Sequence, residues 1–409
     1  MSEAEPTDTS SENKQTNTPE PSFETPEQVA AHDTSEPVTP KAKAPVTEPQ
    51  KTGWKQWFSW SWPPNKQQII FASVVLAMLV FAVAGLLVLR HGSKTPVATT
   101  VVHHAAKKIV PPTPTTVPST LSGLPVDPSV NARTVTGVMI ENSTDARPQS
   151  GLSQASVVFE AIAEGGITRF LALYQDQLPD NVGPIRSARP YYLQWLQGFD
   201  APIAHVGGSP EALADIKSWN IKDLDQFYNG GSYHRITSRA APHNVYTSLA
   251  TLNQLEQSKG FTTSNFTGFA RKADAPAKAP TTTSIDLAIS SYYYNVHYDY
   301  NAATNSYNRS EGGAAHIDAN TNAQISPKVV IAMVIPYNLE ADDKHSQYGI
   351  VGNGQAYIFQ DGGVTVGSWS KTAPTAQITF SDSSGKPVKL NAGQTWLSAV
   401  ATSSKVTYK

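Results

Sequence analysis

The sequence predicts an α/β or α+β first domain and a smaller β-rich (α+β) second domain, both behind one N-terminal transmembrane helix. Three observations lead there. A charge-free apolar run lies near the N-terminus, strand-like and helix-like segments alternate between Val135 and Lys259, and short strand patterns punctuated by turn residues follow Ser284.

The apolar run is Ile69–Leu89, IIFASVVLAMLVFAVAGLLVL, bounded by Lys66 and Arg90. At about 1.5 Å per helical residue it spans roughly 32 Å, against a hydrocarbon core of roughly 30 Å. A cleaved secretory signal has a shorter apolar region behind a short basic head. Here a long tail precedes the run, and the only Ala-x-Ala, Ala82 to Ala84, lies inside it. The expectation is an uncleaved membrane anchor. Flanking charge leaves its direction open, since Lys51, Lys55 and Lys66 precede the run while Arg90, Lys94, Lys107 and Lys108 follow it. Trp54, Trp57, Trp60 and Trp62 mark the headgroup boundary without marking a side.

Residues 1–68, most of all the first fifty, are rich in Glu, Thr, Ser and Pro and poor in large apolar side chains, so they read as a disordered tail. Residues 90–123, containing PPTPTTVP, read as a stiff Pro/Thr-rich spacer. The first domain is expected over 124–268, with strands at Val135–Ile140, Val157–Glu160, Ile167–Tyr174 and Ile203–Val206. Its helices are expected at Ala188–Gln197, Pro210–Trp219 and Ser248–Lys259, with Ser209 and Pro210 as an entry signal. An Ala/Pro/Lys/Thr-rich linker occupies 269–283. The second domain, 284–409, carries strand patterns at Tyr292–Tyr300, Val329–Ile335, Gly354–Phe359, Val364–Trp369, Ala376–Phe380 and Thr395–Val400. Gly352-Asn353-Gly354 and Asp361-Gly362-Gly363 read as hairpin turns and not as nucleotide loops, for no Lys-Ser/Thr follows them.

The chain has no cysteine, which rules out disulfides, thiolate metal sites and a cysteine-linked lipid. A net charge of −2 gives no global reason to expect nucleic acid as a partner. No recognised signature calls for a cofactor.

Charge is nevertheless distributed unevenly. Between Arg133 and Ser258 there are seven Arg and two Lys, against three Arg and nineteen Lys elsewhere. Arg is favoured where a planar fork must hold a carboxylate or phosphate or stay partly buried. Arg169, Arg186, Arg189, Arg235 and Arg239 therefore either converge on an anionic ligand or pair with Glu160, Glu164 and their neighbours as scaffold. Arg186 and Arg189, three apart after the Gly183-Pro184 turn, would flank a helix N-terminus.

Glu160 and Glu164, four apart, would serve acid–base work if their pKa values were driven apart. His205 at a strand end before Gly207-Gly208-Ser209, and His243 beside Asn244 in a rigid Pro-His-Asn turn, complete the candidate set. With His234 these groups lack any recognised metal-ligand spacing, so no metal is expected. Ser209 does not sit in a Gly-x-Ser-x-Gly elbow and reads as a helix cap. Trp369 and Trp396 read as core anchors, with stacking on sugar rings the alternative.

Several stretches carry a resemblance: ENSTDARPQSGLSQASVVFEAIAEGGITRFLALY (Glu141–Tyr174), VGPIRSARPYY (Val182–Tyr192), HVGGSPEAL (His205–Leu213) and RAAPHNVYTS (Arg239–Ser248). With YDYNAATNSYNR (Tyr298–Arg309), GNGQAYIFQDGG (Gly352–Gly363), GSWSK (Gly367–Lys371) and LNAGQTW (Leu390–Trp396), they resemble the YerB-like family of bacterial proteins described as lipoproteins, a family of unknown function. The resemblance implies two domains on the outer face of a bacterial membrane, with the N-terminus in the cytoplasm. A transmembrane helix here replaces the lipid that a cysteine would carry. The expected function is a binding module for an anionic cell-envelope component such as a cell-wall polymer; the alternative is an envelope hydrolase or transferase using Glu160, Glu164, His205 and His243.

Overall fold

The computed structural model describes residues 76–78, 80, 115–340 and 345–409. The chain divides into two compact units, Met1–Ala106 and Lys107–Lys409. In the first, Leu76, Ala77, Met78 and Val80 are helical and exposed. The rest of the expected anchor Ile69–Leu89, the 1–68 tail and residues 90–114 lie outside the described residues. No helix among the described residues is long and apolar enough to cross a membrane.

The main elements of the second unit run in order β1 (Thr136–Glu141), β2 (Val157–Glu164), β3 (Ile167–Tyr174), α1 (Pro190–Gln197), β4 (Ile203–Ala204), α2 (Pro210–Ser218) and α3 (Leu249–Ser258). There follow β5 (Ser284–Leu287), β6 (Val296–Asn301), β7 (Ser306–Glu311), β8 (Ala314–Ala315), β9 (Val329–Val334), β10 (Gly352–Gln360), β11 (Gly363–Lys371), β12 (Thr379–Asp382), β13 (Thr395–Val400) and β14 (Val406–Tyr408). The unit is β-rich with few helices.

Nine strands form one mixed sheet in the order β12-β11-β10-β9-β13-β2-β3-β1-β4. A second sheet of five antiparallel strands runs β8-β7-β6-β5-β14. The apolar strands β1, β2 and β3 are central because they are apolar on both faces. Val157, Phe159, Leu171 and Leu173 enter one core with Tyr191, Tyr192 and Trp195 of α1. Val158, Phe170, Ala172 and Tyr174 enter another with Leu249 and Leu252 of α3. Period-two alternation thus sorts each strand between two hydrophobic layers.

The large sheet crosses the expected linker. β13 pairs in parallel with β9 on one side and with β2 on the other, so strands from 124–268 and from 284–409 share one sheet. The stretch 269–283 is itself stitched down: Arg271–Lys272 pairs in parallel with Leu390–Asn391, and the Arg271 guanidinium donates to Leu121 O, Asn391 O and Thr395 Oγ1. Nor are residues 115–123 a free spacer. Val117–Pro118 pairs with Pro125–Val126, Leu121 is buried, and the Ser119 and Ser122 hydroxyls both bond Asp176.

Helix entry at α2 follows the expected signal, whereas Ser248, expected as the first residue of its helix, stands one position before α3 as its cap. Ser209 Oγ accepts from Ala212 N at 3.2 Å ahead of Pro210, and Ser248 Oγ accepts from Thr251 N at 3.0 Å. Helix α1 begins at Pro190 and not at Ala188, because Ala188 is held in backbone bonds with Gly207 and Ser209. The strand expected over Tyr292–Tyr300 starts at Val296, after a 3-10 turn at Tyr292–Tyr294.

Between the two sheets lies a buried ion pair. Arg309 of β7 donates from Nη2 to Glu160 Oε1 of β2 at 2.8 Å, and both side chains have 0 % exposure. Glu160 Oε2 accepts from Trp396 Nε1 at 2.9 Å and Ser398 Oγ at 3.0 Å. The guanidinium stacks 4.5 Å from the Trp396 ring centroid. Its Nη1 donates to His316 Nδ1 at 3.0 Å, leaving the other ring nitrogen to donate to Gln149 Oε1 at 2.9 Å. That neutral tautomer agrees with burial and the Arg309 charge, which push His316 well below its ordinary pKa.

Removing one member strands the other charge. Arg309→Met should lower the unfolding free energy by about 3–5 kcal/mol in urea titration, and Glu160→Gln/Arg309→Met should recover much of that loss. A double variant no better than the single one argues against the pair as the cause.

Glu256 of α3 carries a different strain. Burial raises its carboxyl to about 7, although Thr136 Oγ1 donates to it at 2.6 Å. The folded-state pKa lies above the unfolded one, so its destabilisation is absent below pH 4.5, grows as pH rises toward 7 and is full above that. Glu256→Gln should therefore leave stability nearly unchanged near pH 4.5 and raise it by about 3 kcal/mol at pH 8, for a rise from 4.5 to about 7 at 1.36 kcal/mol per pKa unit. Equal denaturation midpoints at pH 8 would remove this account.

Candidate functional site

A cleft of about 830 Å³ opens beside the C-terminal edge of β4, between α2 and the loops at Gly207-Gly208, Asp223–Tyr228 and Arg235. Such edges are common ligand positions in sheets carrying parallel strands. Arg186 reaches it because its backbone bridges two elements: its N–H donates to Met139 O of β1, and its carbonyl accepts from Val206 N after β4. The turn before it requires glycine. Gly183 has φ +153°, and a Cβ there would lie 2.8 Å from Val245 O and 2.7 Å from the Tyr246 ring.

The acidic groups lining the cleft are already engaged. Asp223 Oδ1 accepts from His205 Nε2 at 3.0 Å and from Asp225 N at 2.8 Å. Burial would raise that carboxyl, but the hydrogen bond and charge of His205 outweigh it and hold it below the usual range. Asp225 Oδ1 accepts from Gly207 N and Phe227 N. His205 is fully buried and also bonds Gly207 O at 2.7 Å, so it braces the loop and does not face the cleft.

The cationic groups are freer. Among the described residues Arg235 has one hydrogen-bond partner, Asn244 Oδ1 at 2.7 Å, which aims the guanidinium. Lys217, in the last turn of α2, has no charged partner there. Arg186 makes one ion contact, Nε to Glu141 Oε1 at 3.3 Å. Phe227 and Tyr228 stand at the rim, 71 % and 83 % exposed.

Glu141, the last residue of β1, ties Arg186 to His243. Its Oε1 lies 2.9 Å from His243 Nδ1 and accepts from Ser143 Oγ at 2.9 Å. Its Oε2 is buried without a hydrogen-bond partner. The ring's other nitrogen, Nε2, lies 4.0 Å from Asp145 Oδ2, so the His243 imidazole sits between two carboxylates.

The remaining candidates serve the frame. Arg169 and Arg189 both donate to Glu164, to Oε1 and Oε2 respectively, at 2.6 Å. Burial opposes ionisation of Glu164, yet the two guanidinium groups hold its pKa below the ordinary value. Arg239 staples a loop through Ala146 O, Pro148 O and the Tyr246 hydroxyl. Glu160 and Glu164 do not meet as an acid–base pair: the first is closed in with Arg309, the second with Arg169 and Arg189. Trp369 and Trp396 are buried core side chains. Among the described residues no three His, Asp or Glu side chains gather as a metal site.

Two family models match the chain. The DUF3048 N-terminal domain, a protein of unknown function, covers residues 121–262, and the DUF3048 C-terminal domain covers 285–397. The chain is also 30 % identical over 298 residues to the Bacillus subtilis protein described as "Putative lipoprotein YerB", a span of 72 % of this chain and 89 % of that one. The chain belongs to the DUF3048, or YerB-like, family. A crystal structure of the YerB protein from Bacillus subtilis matches with a TM-score of 0.66 and 28 % identity, over 72 % of this chain and 99 % of that chain.

Within this YerB-like chain the cleft and every candidate residue fall in the N-terminal family segment, while Arg309 and Trp396 come from the C-terminal one. Of the candidates named from sequence, the structure brings Arg186 and Arg235 to the cleft, with Asn244 behind Arg235 and His243 beside Arg186. Glu141, Asp223, Asp225, Lys217, Phe227 and Tyr228 escaped the sequence reading. Glu141 closes an apolar strand and looks like a boundary residue. The Asp223-Leu-Asp-Gln-Phe-Tyr stretch carries the signal of acids alternating with large side chains, but only the fold folds it back over Gly207.

The Glu164 clamp makes a pH prediction. Its folded pKa is depressed, so its contribution is complete above the ordinary value of 4.5 and is lost as pH falls through the folded value. Glu164→Gln should lower the melting temperature at pH 7 and make it less sensitive to pH below about 4.5 than in wild type. Identical melting curves for both proteins at pH 7 would contradict this.

Proposed function

We propose that this chain is a membrane-tethered, extracytoplasmic binding protein whose cleft takes an anionic component of the bacterial cell envelope, such as a wall polymer bearing phosphate or carboxylate groups. The observation that carries the reading is the charge arrangement of the cleft. Its two carboxylates are held by internal donors, whereas Arg186, Arg235 and Lys217 keep donors for a ligand. The exposed rings of Phe227 and Tyr228 add a surface for the ligand's less polar part.

The location rests on two supports. The Bacillus subtilis relative is described as a lipoprotein, and this chain, with no cysteine to acylate, carries the charge-free run Ile69–Leu89 in place of a lipid. In this reading the N-terminus is cytoplasmic and the family segments lie outside.

The test is retention of the full-length protein, in detergent, on purified bacterial cell wall. Arg186→Ala/Arg235→Ala should reduce retention at least about 10-fold, since each charge-assisted contact is worth about 1.5–3 kcal/mol, and rising salt should weaken the wild type. Equal retention of wild type and a folded double variant rejects the cleft as the binding site.

A further inference from the structure

We propose that Lys272 and Asn391 become joined by a covalent side-chain amide, formed within the chain by attack of the Lys272 amine on the Asn391 side-chain carbonyl with Asp361 moving the protons. The proposal lies outside the cleft and does not depend on the binding reading.

The three side chains meet where the segment between the two family segments is stitched to the C-terminal one. Arg271–Lys272 pairs in parallel with Leu390–Asn391, and the register sets Lys272 beside Asn391. There Lys272 Nζ contacts Asn391 Oδ1, the atom bonded to the carbon it would attack. Nζ also lies 2.5 Å from Asp361 Oδ2, while Asn391 Nδ2 donates to Asp361 Oδ1 at 2.7 Å. One carboxylate thus touches both the nucleophile and the nitrogen that would leave.

Each member is held from outside the trio. Asn391 is fully buried; its N–H donates to Gln360 Oε1 at 2.9 Å, and its carbonyl accepts from Arg271 Nη1 at 3.0 Å. Asp361 sits in the turn between β10 and β11, where its Oδ1 also accepts from Asn305 Nδ2 at 2.8 Å and Ala275 N at 3.1 Å. Fixed proximity of amine, carbonyl and proton carrier is the main requirement of such a step.

Burial would raise the Asp361 carboxyl, but the donors Lys272, Asn305 and Asn391 hold it below its ordinary range, so before reaction it is a carboxylate able to take a proton. Asp361 takes one from the Lys272 ammonium, and the freed electron pair bonds Nζ to Asn391 Cγ. The carbonyl pair moves onto Oδ1. Asp361 then passes its proton to Nδ2 and removes another from Nζ. As the carbonyl re-forms, the bond from Cγ to Nδ2 breaks and ammonia leaves, taking the second proton from Asp361 as ammonium. Lys272 and Asn391 end as one amide and Asp361 as a carboxylate, with no oxidant or reductant involved. A single turnover suffices, because departure of ammonia makes the bond permanent.

In a chain with no cysteine, this bond would do what a disulfide does elsewhere. It ties two residues 119 positions apart and fastens the connector between the family segments to the second of them.

The test is intact-mass spectrometry of full-length protein, purified in detergent and then denatured, with fragmentation of its proteolytic peptides. Wild type should weigh one ammonia less than its sequence, and a branched peptide should join Lys272 to Asn391. Lys272→Arg keeps a cation beside Asp361 but presents a guanidinium that does not give up its proton. That variant should fold, show the full sequence mass, yield no branched peptide and melt at a lower temperature than wild type. Asp361→Ala should also retain the ammonia.

Wild type at its full sequence mass, without the branched peptide, would mean that Lys272 and Asp361 form an ordinary ion-pair latch, and it overturns the proposal. So does an ammonia loss that persists in Lys272→Arg, since a backbone succinimide at Asn353-Gly354 gives the same mass change without involving Lys272.

Discussion

The pair Glu160–Arg309 governs how this protein is put together. It lies at zero exposure between a strand of the N-terminal family segment and a strand of the C-terminal one. An ionised carboxylate and guanidinium in such a place are tolerable only if their remaining valences are met. The surrounding residues meet most of them: Trp396, Ser398, His316, Gln149 and, through Glu311, Asn142 and Arg147. Burial pushes the Glu311 carboxyl upward despite its two guanidinium neighbours, a sign of how little water reaches it. Such a network contributes little net stability relative to an apolar core. What it enforces is register, since slipping β7 by one residue would swing Arg309 to the opposite face.

The same need for fixed guanidinium contacts recurs among the arginines of the N-terminal family segment. Four of the arginines in the recognisable motifs and beyond are fasteners: Arg309 on Glu160, Arg169 and Arg189 on Glu164, and Arg239 on backbone carbonyls. A planar fork reaches two acceptors at once, which a lysine ammonium cannot do with fixed geometry. Arg186 and Arg235 differ because their second valences open onto a cleft. The local excess therefore mixes two causes, and composition cannot separate them.

Legibility followed the same division. Strands β1, β2 and β3 announce themselves because both their faces are apolar, and α2 because Ser209 and Pro210 mark its entry. Strand β7, SYNRSE, was invisible: its inward side chains include Arg309 and Glu311, so the period-two signal is carried by charged residues that composition assigns to the surface. Glu160 misled for the matching reason. A carboxylate at a strand end invites a catalytic role, and its partner lies 149 residues away in the sequence. The shared sheet was hidden likewise, because parallel pairing of β13 with β2 joins segments that composition separates at 269–283. At the site, Arg186, Arg235, His243 and Asn244 were legible as residue types in turn motifs. Their common carboxylate, Glu141, was not, since only tertiary structure brings β1 against the Pro242-His243-Asn244 turn.

The buried network also reaches the cleft. Gln149, which accepts from His316, donates to the Glu141 backbone carbonyl at 3.0 Å and to Asn142 Oδ1 at 2.8 Å. Arg147 clasps Asn142 from the other side while pairing with Glu311. The end of β1 is thereby held by groups whose own positions depend on Arg309. A carboxylate that must keep one oxygen on His243 and remain near Arg186 needs such support, because misplacement by an ångström weakens both contacts. The polar core that joins the two family segments is thus also what fixes the carboxylate on which the cleft's Arg186 rests, and a packed apolar core of equal volume would hold that carboxylate less exactly.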